Sequence, residues 1–229
     1  MKRQYRILCA AVVAAALTPI LIGNSWAVDA FVAVAMKVVP PVFIQSAANP
    51  DEQVPLQKDI KLYPGDRIIC GDSGEASLIF ADSAVEVKLL SGTELTLQGQ
   101  RTDTKLVKRL FIQIGRLLTK VRTGEMEVVT PTTVASVKGT SWWTWVDLST
   151  LTKIIVLEGE VQVQNRVSGA AQSVSAGNTA VSEADGELDV KPTKDSELPD
   201  DSGMQQGSLE IEFEDESGQK RTLTIEFDQ

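Results

Sequence analysis

Apolar and polar residues alternate with a period of two through most of this chain. The clearest run lies between Thr130 and Gln164, where Val134, Ser136 and Lys138 alternate with Ala135 and Val137, and Trp142, Thr144 and Val146 with Trp143 and Trp145. Ile155, Leu157, Val161 and Val163 continue the period, which is that of a pleated strand with two unequal faces. Gly139 and Gly159 fall where the chain must bend or approach another backbone, which a residue without Cβ does most easily. The same pattern recurs upstream. Phe31 to Val39 is apolar and stopped by Pro40-Pro41, and Glu75 to Phe80 places Ala76, Leu78 and Phe80 on one side. Ala84 to Leu90 follows, and Ser91-Gly92-Thr93 turns into Leu95 and Leu97. Lys105 to Ile114 is mixed: Leu106, Leu110 and Ile114 have helical spacing, but Phe111-Ile112 and the following Gly115 favour a strand. Arg116 to Val121 and Glu125 to Val129 read as two further strands, the second entered through Thr123-Gly124. Short strands between glycine-bearing turns, with no sustained helical period, predict an all-β fold. A two-layer β-sandwich and a coiled, solenoid-like stack of short strands both satisfy the pattern, since each buries inward positions between two sheet faces.

The ends of the chain differ from this body. Lys2, Arg3 and Arg6 precede an apolar run from Ile7 to Ile22, and small residues at Ser25 and Ala27 follow. This is the form of an export signal with cleavage near Ala27, too short and too interrupted at Pro19 for a membrane span. The expected organisation is a signal peptide over 1–27, a β-domain over 28–185, an acidic flexible linker over 186–207 and a β-hairpin over 208–229. The linker is polar and carries Pro192 and Pro199. In the hairpin Leu209, Ile211 and Phe213 share a face with Leu223, Ile225 and Phe227, and Glu210, Glu212 and Glu214 lie on the other. An isolated hairpin is marginal in water, so this one is expected to dock on its own β-domain or add to a partner's sheet.

Charge and chemistry narrow the function. The formal charge is −9. Loss of Lys2, Arg3 and Arg6 leaves 19 basic residues against 31 acidic ones, a charge of −12. Such a chain is a poor partner for nucleic acid, whose affinity rests on Lys and Arg at phosphates. The chain has no histidine, which removes the commonest general base, Ser-His and Cys-His nucleophile pairs and imidazole metal sites. No phosphate loop or EF-hand loop is present, and neither a cofactor nor a metal is expected. Past the leader only Cys70 remains, so no intramolecular disulfide can form, and Ile68 and Ile69 beside it suggest a small buried apolar residue.

TPTTVASVKGTSWWTWV followed by IIVLEGEVQVQN resembles the core signature of FecR-like domains, in which a TP step, a V(R/K)GT step and a VLEGxVxV strand succeed one another. LYPGDRIICGDSGEASLIFADSAVEV resembles the opening of that family, and VSAGNTAVS its closing strand. The resemblance covers roughly 62–182, and its signature falls on Gly139, Thr140, Trp142, Glu158 and Gly159. Three departures stand out: ADSA replaces a glycine-bearing turn, Cys70 replaces a small polar residue, and Trp143 and Trp145 replace polar ones. The resemblance implies a twisted β-roll with Trp142, Thr144 and Val146 pointing inward. Trp143 and Trp145 then stand on the outer face, where adjacent indoles form a platform for a sugar ring or a partner protein, unless another part of the chain, such as the hairpin, covers them. The sigma-regulator arrangement of many FecR proteins uses a cytoplasmic helical domain and a transmembrane helix, and the expectation is that neither is present here.

Together these readings lead to an exported, non-enzymatic FecR-domain protein, periplasmic or extracellular, that binds or scaffolds an envelope protein or cell-wall glycan. Two alternatives stay open. One is a carbohydrate-active enzyme with paired carboxylates beside exposed Trp143 and Trp145. The other is a structural extracellular protein that assembles by strand pairing.

Overall fold

The computed structural model describes residues 31–101, 106–199, 208–214 and 220–226. In chain order the strands are β1 (Ala33–Val39), β2 (Val42–Gln45), β3 (Gln53–Pro55), β4 (Lys61–Leu62), β5 (Arg67–Cys70), β6 (Glu75–Phe80) and β7 (Val85–Leu89). Then come β8 (Glu94–Leu97), β9 (Gln100–Arg101), β10 (Leu106–Val107), β11 (Arg109–Val121), β12 (Glu125–Val129), β13 (Thr133–Lys138) and β14 (Ser141–Val146). The last are β15 (Thr152–Glu158), β16 (Glu160–Asn165), β17 (Ala171–Ser175), β18 (Asn178–Ser182), β19 (Leu188–Pro192), β20 (Ser208–Glu214) and β21 (Lys220–Glu226). A single 3₁₀ turn, Asp195–Glu197, is the only helical element among the described residues. The fold is all-β.

Seventeen strands form one continuous hydrogen-bonded system that folds into two layers. The first layer runs β4-β1-β6-β7-β11-β14-β15-β18-β19. The second runs β3-β2-β5-β8-β11-β12-β13-β16-β17. Past β11 the chain lays down strands two at a time, β12–β13 in the second layer, β14–β15 in the first, β16–β17 in the second and β18–β19 in the first. That is a β-roll. The inner faces of both layers feed one buried cluster, to which the first layer gives Leu78, Val87, Leu117, Trp142 and Ile154, and the second gives Ile68, Leu95, Ile112, Val128 and Val163.

Strand β11 belongs to both layers. Its first half pairs with β8 and, in parallel, with β12, and its second half pairs with β7 and β14. Leu110 and Ile112 point inward before the corner, Leu117, Thr119 and Val121 after it, so the inward set changes from even to odd numbers. Gly115 makes the change possible. Its φ is +108°, and a Cβ there would lie 2.4 Å from Thr93 Cα, a distance no side chain tolerates. The two strands read from the sequence at Lys105–Ile114 and Arg116–Val121 are therefore one strand of 13 residues bent in the middle, because a register shift at the corner breaks the period of two.

Two further differences concern the ends. The linker expected from residue 186 starts later: Leu188–Pro192 is strand β19, paired along β18 from Ser182↔Leu188 to Asn178↔Pro192. Leu188 and Val190 alternate with Asp189 and Lys191, and the ladder offered by β18 outweighs the polar composition that suggested a linker. The hairpin is present as β20 and β21, with Leu209 opposite Ile225 and Ile211 opposite Leu223. The stretch read as an export signal, 1–27, and residues 200–207 of the expected linker lie outside the described residues.

Candidate functional site

Three of the motif residues make a clamp between neighbouring hinges. Gly139 turns β13 into β14, and Gly159 turns β15 into β16, with φ of +73° and +75°. A Cβ on Gly159 would stand 3.0 Å from the Gly139 carbonyl and 3.2 Å from Thr140 Oγ1, so the bare glycine lets the hinges touch. Thr140 is buried and its hydroxyl donates to the Glu160 carbonyl at 3.0 Å. Glu158 is exposed and lies opposite Ser141. Gly139, Thr140 and Gly159 are thus brought together as framework, and the chemistry that needs them is backbone geometry. The ADSA turn upstream is made without glycine: Ser83 takes φ +56°, and the Asp82 carboxylate accepts from the Ala84 N–H at 3.1 Å.

The tryptophans divide as the alternation requires, with one correction. Trp142 is wholly buried on the inner face, and its indole N–H donates to Thr144 Oγ1 at 3.0 Å. Trp143 lies on the opposite face but is also buried, at 2% exposure, in a second apolar cluster with Leu90, Leu118 and Ile155. Cross-strand pairing places it between Leu118 and Ile155. Trp145 is half-buried, with Lys153 Nζ 5.0 Å from its ring centroid, a cation–π contact. The bare pair of indoles expected on this face is not formed, because apolar neighbours from three other stretches of chain gather round Trp143. The two exposed tryptophans that the enzyme alternative invokes are therefore not paired on this face, since Trp143 is buried.

A groove of about 840 Å³ opens on the outer face of the second layer. One wall is β10 and Lys108, and Gly139 and Gly159 stand at its rim. Its floor is the cross-strand row Glu127–Ser136–Gln162. Ion pairs border it, Lys138 to Glu125 at 2.9 Å and Arg109 to Glu127 at 3.7 Å. Lys108 is buried, with its ammonium 2.7 Å from Asp82 and Gly124 packed beneath it. Sequence reasoning missed this groove. Its floor residues come from three different strands and are individually unremarkable, and only the register sets them in a row.

Cys70 is buried, and burial, with Glu75 nearby, pushes its thiol from 9.0 up to about 12, so it is an inert core residue as expected. Among the described residues no cluster of His, Cys, Asp or Glu could hold a metal ion. No described helix is long and apolar enough to cross a membrane.

Residues 66–162 match the model of the FecR protein family, from the start of β5 into β16. Those residues are similar to a FecR domain, and Gly139, Thr140 and Gly159 of the clamp fall within the match. Two crystal structures of a candidate anti-sigma factor from Parabacteroides distasonis ATCC 8503, at 1.65 Å and 2.50 Å resolution, share the fold. Each aligns with a TM-score of 0.50 and 16% identity over 63% of this chain. The alignment spans 66% of that protein's length, just under two thirds. No curated protein matches the chain.

Proposed function

We propose that this protein is an exported, non-enzymatic binding module of the cell envelope whose partner is another envelope protein. The observation that carries the reading is the FecR match over β5 to β16, together with the structural role of the residues that define it. Gly139, Thr140 and Gly159 hold two hinges, and Trp142 fills the core. These residues build a rigid frame, the kind of support on which a binding surface is held in place. The anti-sigma description of the structural relative favours a protein over a glycan as partner. The export signal read at Lys2 to Ala27 supports an envelope location. The groove over Glu127, Ser136 and Gln162 is the surface assigned to the partner, since its floor offers hydrogen-bonding side chains beside an apolar wall that includes Leu106 and Val107.

Crosslinking in intact cells, followed by fractionation and mass spectrometry, tests this reading. The expected result is a chain beginning near Val28 in the envelope or medium, joined to one protein. That adduct is lost in Ser136→Arg/Gln162→Arg and kept in Trp145→Ala. A chain retained in the cytoplasm from Met1, or an adduct indifferent to the groove substitutions, contradicts it.

A further inference from the structure

Strand β17 is an unguarded edge. Asn165 N–H donates to the Ala170 carbonyl at 2.8 Å, and Ala176 N–H to the Gly159 carbonyl at 3.0 Å. These fix the parity of the ladder: Gln172 and Val174 bond to β16, while Ala171, Ser173 and Ser175 direct their backbone groups away from it. Among the described residues no second strand pairs with that outward side, where Asn178 Nδ2 donates to the Ser175 carbonyl at 3.2 Å. Other edges are protected in ordinary ways. Strand β3 has three residues and ends at Pro55, and β19 carries Asp189, Lys191 and Pro192. Strand β17 (AQSVS) has neither charge nor proline. The core beside it is incompletely closed, since Leu188 and Val190 of β19 pack against the buried cluster yet stay half-exposed.

The chain supplies a matching element. Strands β20 and β21 pair with each other and with no other described strand. Their sequence alternates Leu209, Ile211 and Phe213 with Glu210, Glu212 and Glu214. The order of the roll says where such a pair belongs. Pairs of strands alternate between layers, and after β18–β19 in the first the next place is in the second, on the open side of β17. From Pro199 to Ser208 the chain can extend about 30 Å, three times the roughly 10 Å between packed sheets.

We propose that the β17 edge is a strand-acceptor surface and that its occupant is the chain's own C-terminal hairpin, with β20 laid antiparallel on β17. The register pairs Leu209–Ile225 and Ile211–Leu223 then continue the apolar layer past Val174, over Leu188 and Val190. This inference stands on strand order and edge chemistry and is independent of the groove's partner.

Hydrogen exchange of the full chain, compared with a chain ending at Gly207, decides it. In the full chain the amides of Ala171, Ser173 and Ser175 should be protected. In the shortened chain they should exchange at least about tenfold faster, while peptides from β14 and β15 keep their rates and so report an intact roll. Ser173→Pro removes an outward N–H and should release the hairpin, so that residues 208–226 lose protection with residues 130–165 unchanged. Equal exchange of β17 in the full and shortened chains overturns the proposal. Protection of residues 208–226 that rises with protein concentration also overturns it, because the hairpin would then be paired with a second copy.

Discussion

Trp142 shows what one residue contributes to this frame. It is fully enclosed between β11 and β15, and its one polar atom is satisfied by Thr144. Trp142→Ala should lower stability by about 3–5 kcal/mol in denaturant titration. Trp143→Ala separates a buried outer-face residue from an exposed platform: burial predicts a loss of at least about 2 kcal/mol, exposure within about 0.5. Cys70 carries a pH signature. The folded thiol keeps its proton to about pH 12, whereas the unfolded chain releases it near 9.0. Its contribution is therefore complete below the unfolded value and is lost as pH rises through that interval. Stability measured from pH 8 to 11 should fall with a slope that Cys70→Ala removes, and mass mapping should find Cys70 unalkylated at pH 8 in the native protein. At this scale the sequence was legible wherever alternation decides the answer, as for Trp142. Trp143 was not, because an outer face is wet by default and its neighbours Leu90, Leu118 and Ile155 come from separate strands.

At the scale of the element, β11 is where pattern and fold part. A period of two assumes a strand that keeps one face inward, and β11 changes faces at Gly115 as it passes between layers. Gly115→Ala should cost about 1 kcal/mol or more, since it adds a Thr93 clash to an already strained φ. Gly177→Ala meets open space at φ +80° and should cost less, and a comparison of their unfolding midpoints checks the difference. Strand β19 teaches the converse. Five residues with two charges and a proline carry little strand propensity of their own, and their order comes from the β18 ladder, which is a tertiary effect that composition cannot report. The hinge glycines were legible because a positive φ and a close backbone approach leave few residue choices. The groove was not, because a row of Glu, Ser and Gln has no signature until register aligns it.

At the scale of the molecule the central claim is that both layers form one roll, joined through β11 and closed around a single core. The all-β class was readable from the spacing of turns, and the FecR motifs pointed to the roll over the sandwich. Strand order was not readable, because alternate layering depends on pairings between residues far apart in sequence. Such a roll should open as a unit, since neither layer keeps an inner face without the other. Native-state hydrogen exchange across a denaturant series measures this directly. The amides of β7 and β14 in the first layer and of β12 and β13 in the second should converge on one opening free energy, equal to that of global unfolding. If the second layer opens at a lower free energy while the first stays protected, the two are separate units and the account of a single roll is wrong.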